Sequence, residues 1–97
     1  MHTTLSHIMT NIRHTVLYTG FASDLEVRTY QHKEKLVLGF TKHYHVTKLV
    51  YYEVFDDYDA ALSREKQIKG GSRESKVRLV NSMNKEWCDL SEKLEIA

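Results

Sequence analysis

The residues equipped for chemistry in this chain are Tyr18, Arg28, His32 and Glu65, with His7 upstream of them. Tyr18 opens a Tyr-Thr-Gly triplet, Arg28 follows it by ten positions and His32 comes four later. Arginine stays protonated and offers a planar fork of N–H donors that matches phosphate oxygens. Histidine changes charge near neutrality and suits proton transfer. Glutamate is a hard oxygen ligand for Mg²⁺ or Mn²⁺, ions that keep water and substrate oxygens in the rest of their shell. Each residue also has an ordinary reading. Tyr18 serves equally as an inward-facing sheet residue, Arg28 as a helix partner of Asp24, and His7 and His32 as plain strand and helix histidines. Glu65 stands four residues before Lys69, an ion-pair spacing worth about 0.2–0.5 kcal/mol. His43-Tyr44-His45 is a weak chelating pair, with His14 or His32 as a third ligand and no cysteine beside it. Cys88 has no recognisable base nearby to make it a nucleophile.

The elements that must position these residues are readable in outline. Leu5 to Met9 and Thr15 to Gly20 are β-prone runs separated by a hairpin-length connection, so Tyr18 closes the second strand. Gly20 stands where the chain is expected to turn sharply. Ser23-Asp24-Leu25-Glu26 is a capping box, which starts a helix near Asp24 and puts Arg28 and His32 one turn apart on one side. Residues 34–47 read as a long surface loop. Lys48 to Phe55 is the most strand-like segment, with its charges at the ends, and suits a central strand. Asp56 to Asp59 can cap a helix carrying Tyr58, Ala61, Leu62, Glu65, Ile68 and Lys69 at helical spacing. Gly70-Gly71 ends it, Ser72 caps another that breaks at Asn81 to Asn84, and Trp87, Leu90 and Leu94 form an amphipathic tail that docks on the body.

At 97 residues and 41% hydrophobic, the chain is the size of one domain, with a core over about 5–82 and a helical tail over 83–97. No stretch reaches the roughly 20 apolar residues of a membrane span, and nothing at the N-terminus resembles a secretory signal. The single cysteine fits a reducing compartment, so the expected location is cytoplasmic. Net charge is only +1, but it is unevenly spread. Lys33, Lys35, Lys42 and Lys48, then Arg64, Lys66, Lys69, Arg73, Lys76 and Arg78, make two basic segments. Acidic residues gather at Asp56, Asp57 and Asp59 and in the tail. Such a distribution suggests a phosphate-facing side.

Taken in order, Tyr18-Thr19-Gly20, Arg28, Tyr30-Gln31-His32-Lys33, Leu49-Val50-Tyr51-Tyr52-Glu53 and Arg64-Glu65-Lys66-Gln67-Ile68-Lys69 resemble the signatures of the GIY-YIG nuclease family, in its small stand-alone members. The resemblance covers Leu5 to about Leu90. It implies an α/β (α+β) domain: a three-stranded, mainly antiparallel sheet flanked by helices. It also implies Tyr18 and Arg28 as catalytic residues and Glu65 as ligand of one divalent cation, Mg²⁺ or Mn²⁺. The first signature departs from the family: His7 stands where a tyrosine is placed and Leu5 where a glycine is. Val27 replaces an expected basic residue, and Phe21 stands where repair nucleases sometimes carry lysine.

The expected activity is metal-dependent hydrolysis of DNA phosphodiester bonds, in repair or recombination, with no small-molecule cofactor and no membrane partner. His7, with an ordinary pKa of about 6.5, would take the place of the tyrosine as base, and His32 would assist. Lys33, Arg64, Lys66, Lys69 and Arg73 would hold the DNA backbone without reading sequence. Two rival expectations share the fold: a nucleic-acid-binding module that has lost catalysis through His7, and a protein-interaction domain using the Trp87 tail.

Overall fold

A computed structural model of the chain describes residues 4–23 and 46–91. The expected helix near Asp24 with Arg28, His32 and Lys33, most of the 34–47 loop, the His43-Tyr44-His45 pair and Leu94 lie outside the described residues. Among the described residues there are three strands and two helices, and the strands form one sheet: β1 (Thr4–Thr10), β2 (Leu17–Ala22) and β3 (Lys48–Phe55). Their order is β2-β1-β3, and both pairings are antiparallel. Two helices follow, α1 (Tyr58–Lys69) and α2 (Arg73–Met83).

The central strand is therefore β1, not the more apolar β3 expected there. Every residue of β1 is buried, including Thr4, Ser6, His7 and Thr10. Short polar side chains tolerate that position because the fold supplies acceptors. Ser6 Oγ donates to Ala61 O at 2.6 Å, and Thr10 Oγ1 to Val16 O at 2.7 Å. β3 is an outer strand, and its far end opens to solvent at Val54, 57% exposed.

The turn between β1 and β2 is built by one side chain. Asn11 Oδ1 accepts from the backbone N–H groups of Thr15 and Val16 at 2.8 and 3.0 Å, and His14 adopts a left-handed φ of 58°. The turn is longer than expected, so β2 starts at Leu17 and runs to Ala22. Tyr18 lies near its beginning and does not close it.

Alternation along the strands sorts side chains into two layers. Leu5 and Met9, with Ala22, Val46, Leu49 and Leu90, form one apolar cluster, against which Tyr18 and Tyr52 pack. Ile8, Val50 and Tyr51, with Ile68 and Val80 of the helices, form the other. A bulge makes this division uneven. Ile8 pairs with Tyr51 but Met9 with Leu49, leaving Val50 as the extra residue. Val50 and Tyr51 thus both serve the helix side while Leu49 serves the opposite one.

Local chemistry sets the helix ends. Asp57 caps α1 by accepting from Asp59 N, and Ser72 caps α2 by accepting from Ser75 N. α2 runs on to Met83, past the expected break at Asn81, and stops at Asn84. Beyond it, residues 84–90 are not helical, contrary to the expected helical tail. They dock by hydrogen bonds on the outer edge of β3. Leu90 N donates to Leu49 O at 2.7 Å, Leu49 N to Asp89 Oδ1 at 3.2 Å, and Asn84 Nδ2 to Val50 O at 3.2 Å. The start of a free strand edge is covered this way, and the Leu49 N–H and the Leu49 and Val50 carbonyls are satisfied.

Candidate functional site

His7 and Tyr18 share one side of the sheet. Their ring centroids are 6.3 Å apart and the planes are tilted by 47°. In the ladder His7 lies between Gly20 on β2 and Tyr52 on β3. Gly20 is thus an in-strand glycine and not the expected turn. A Cβ there would stand 3.0 Å from Tyr18 Cε2 and 3.1 Å from His7 Cε1, so the missing side chain makes room for both rings.

His7 is only 1% exposed, and its Nδ1 has no hydrogen-bond partner. Burial lowers its pKa from 6.5 to about 4, because the imidazolium loses its hydration there. It is a neutral ring at physiological pH, and one shielded from solvent. Tyr18 is half-buried beside it.

Glu65 belongs to the other side. α1 lies over the face bearing Ser6 and Ile8: Ser6 bonds to Ala61 O, and Ile68 joins Ile8 and Val50 in one buried cluster. The buried stripe of α1 is Ala61, Glu65 and Ile68. Glu65 is 7% exposed, and its Oε2 lacks a hydrogen-bond partner. Lys69 Nζ stands 3.9 Å from that oxygen, at ion-pair distance but beyond hydrogen-bond reach. The i,i+4 pair read from the sequence is therefore present and leaves the carboxylate unsatisfied. A buried, unsatisfied carboxylate oxygen fits a hard divalent cation that brings its own waters. Among the described residues no group of three or more His, Cys, Asp or Glu side chains gathers to hold a metal. Glu65 would be the chain's carboxylate ligand here.

The basic residues divide by use. Arg64 Nε donates to both oxygens of Glu53 at 3.1 and 3.0 Å, and its Nη1 to Gln67 Oε1 at 2.6 Å. Tyr51 closes this network with a short hydrogen bond from its hydroxyl to Glu53. Burial pulls the Arg64 pKa down, but the Glu53 and Tyr51 contacts outweigh it and the net direction is up. The Tyr51 phenol is pushed up too, first by burial and then by its bond to Glu53. Arg73 reaches back to the hairpin, donating to Thr15 O at 3.2 Å and His14 O at 2.9 Å. Lys66, Lys69, Arg73 and Arg78 are exposed along α1 and α2.

Three features carry no signal in the sequence alone. The Tyr51-Glu53-Arg64 network joins segments that pattern reading treats separately. Lys48 Nζ meets His14 Nε2 at 2.9 Å, and His14 stacks on Trp87 with centroids 5.0 Å apart. Thr19, 4% exposed, has a hydroxyl without a partner.

Comparison with known proteins agrees with this geometry. A UPF0213 protein of Staphylococcus saprophyticus is 42% identical over 65 residues, covering 67% of this chain and 79% of that one. One from Haloquadratum walsbyi is 41% identical over 63 residues, covering 65% and 71%. The solution NMR structure of a UPF0213 protein from Bacillus halodurans superposes with a TM-score of 0.60 at 22% identity, over 98% of this chain and 99% of that one. It shows the same α+β fold. The family model of the GIY-YIG catalytic domain matches residues 6–78. With most of its length in that match and its strands and helices in the same arrangement, the chain belongs to the GIY-YIG family, whose members are generally endonucleases.

Proposed function

We propose that this protein is a metal-dependent endonuclease that hydrolyses DNA phosphodiester bonds, acting in repair or recombination. The observation that carries the reading is the buried, unsatisfied Glu65 carboxylate on a helix whose outer side is basic. Family membership and the tyrosine of the Tyr-Thr-Gly triplet support it.

When bound at Glu65, Mg²⁺ or Mn²⁺ supplies polarisation of a phosphate oxygen and stabilisation of the leaving oxygen. The chain does the rest. Arg28 donates to the non-bridging oxygens as negative charge builds, and His32, four residues on in the sequence, supports it. Lys33, Lys66, Lys69 and Arg73 bind flanking phosphates and position the strand without reading bases. Tyr18 orients the attacking water through its hydroxyl. Arg64 serves α1 first and DNA second, because its Nε is engaged by Glu53. His7, shielded and with a pKa of about 4, holds the Tyr18 ring in place and leaves proton removal to other groups. Tyr18 and Glu65 stand against opposite faces of the sheet, and β2 is an outer strand. The scissile phosphate is accordingly assigned to the edge of β2, the outer strand that carries Tyr18 and meets α1 through Phe21 and Tyr58.

The buried His7 favours a second reading, a module that binds nucleic acid without cutting it. The two separate in one assay on linear, flapped and branched DNA with Mg²⁺ or Mn²⁺. Endonuclease activity should fall by about 10²–10³ in Arg28→Ala and be lost in Glu65→Gln. Salt-sensitive binding with no cleavage by the unaltered protein would leave the binding module.

A further inference from the structure

Among the described residues, two buried oxygens lack hydrogen-bond partners on the helix side of the sheet: Glu65 Oε2 and Thr19 Oγ1. The packing of α1 on β2 puts them in one region. Phe21 of β2 meets Tyr58 of α1 edge-on, with centroids 5.3 Å apart. Leu17 of β2 packs on the cluster that contains Ile68 of α1. The helix therefore runs antiparallel to the strand. Thr19 falls between Phe21 and Leu17 on one, and Glu65 falls between Tyr58 and Ile68 on the other. Thr19 pairs with Ile8, whose side chain joins that same cluster, so its hydroxyl is on the side of α1.

Leaving two polar groups unpaired in the interior is costly, and a helix free to turn would carry Glu65 to solvent. α1 is not free to turn. Ser6 pins it at Ala61, and Glu53 pins it at Arg64, one residue before Glu65. These pins hold the carboxylate inward without a donor. A group that answers both oxygens must offer an acceptor-seeking charge to the carboxylate and a contact to a hydroxyl. A hydrated divalent cation does both.

We propose that Thr19 is a further cation-site residue, its hydroxyl holding, directly or through a bound water, the same divalent cation that Glu65 ligates. The proposal rests on the metal reading of Glu65 given above. It assigns a task to the middle residue of the Tyr-Thr-Gly triplet, which otherwise needs only to be small enough to sit under a helix.

The test is Mn²⁺ titration of the full chain, followed by electron paramagnetic resonance, with thermal unfolding in chelator as the companion measurement. Thr19→Val keeps the shape and removes the hydroxyl. It should bind Mn²⁺ about tenfold more weakly or worse, while its metal-free thermal midpoint stays at or above that of the unaltered protein. Thr19→Ser keeps the hydroxyl and should bind as the unaltered protein does. Wild-type affinity in Thr19→Val overturns the proposal, as does equal loss in Thr19→Ser, which would trace the effect to packing. Glu65→Gln separates this from the underlying reading. If Glu65→Gln loses Mn²⁺ and Thr19→Val does not, only the Thr19 assignment falls. If the unaltered chain takes up no Mn²⁺, or Glu65→Gln binds as well as it, both fall.

Discussion

His7 shows how one substitution within a family signature is absorbed. Its ring sits in the middle of the central strand, between Gly20 and Tyr52, where water does not reach it. The ring is neutral because charging it there would cost its hydration. This has a definite sign for stability. Between pH 6.5 and about 4 the unfolded chain binds a proton that the folded ring refuses. Stability from this residue is therefore fully present above pH 6.5 and drains as the pH falls towards 4. At about 1.4 kcal/mol per pH unit, the whole window amounts to about 3 kcal/mol. Urea unfolding at pH 7 and pH 4.5 should show a drop between the two that is smaller in His7→Leu by about 2–3 kcal/mol. An equal drop in both proteins would mean that His7 titrates normally. The neighbouring glycine follows the same logic, since any side chain at Gly20 would press on the two rings that the position accommodates.

Among the elements, β3 depends on residues far along the chain. It is an outer strand whose edge is taken by Asn84, Asp89 and Leu90. Asn84 is the hub of this closure. Its Nδ2 donates to Val50 O and, at 2.7 Å, to Cys88 O, while its Oδ1 accepts from Cys88 N at 3.0 Å. Val50 is the bulge residue, so the same asparagine serves both the irregularity in β3 and the end of α2. Replacing Asn84 by Ala leaves the buried Val50 carbonyl and the part-buried Cys88 backbone bonds without partners, the buried group costing about 1–3 kcal/mol. The expected loss is about 2–4 kcal/mol in chemical denaturation, with faster amide exchange confined first to Leu49, Val50 and Cys88. Exchange rising uniformly over the sheet would show instead that the tail has no special hold on β3.

For the molecule as a whole, charge placement outweighs net charge. A chain at +1 overall still presents Lys66, Lys69, Arg73 and Arg78 together along α1 and α2. Phosphate contacts made by such residues release counterions, so binding weakens with salt in proportion to their number. Lys66→Glu, on the exposed side of α1, should lower affinity for duplex and branched DNA alike and reduce the slope of log K against log salt by about 1–2. Fluorescence anisotropy across a salt series measures both. A slope unchanged by Lys66→Glu would place the DNA elsewhere on the surface.

Local chemistry is what the chain determined by itself. The bounds of α1 follow from Asp57 and Gly70 at its ends, and the start of α2 follows from Ser72, because capping groups act within a few residues. The strand segments were legible because β propensity is likewise read from neighbouring residues. Tertiary structure alone decided which strand is central, because burial on both faces depends on partners distant in sequence, and Thr4, Ser6 and His7 look too polar for it. It decided that Gly20 makes room and does not make a turn, since the need arises from two rings across the ladder. It also made residues 84–90 of the expected helical tail an irregular segment, through hydrogen bonds to β3 that no periodicity encodes. Side chains as far apart as Glu53 and Arg64, or Thr19 and Glu65, acquire their relation only when α1 lies down on the sheet.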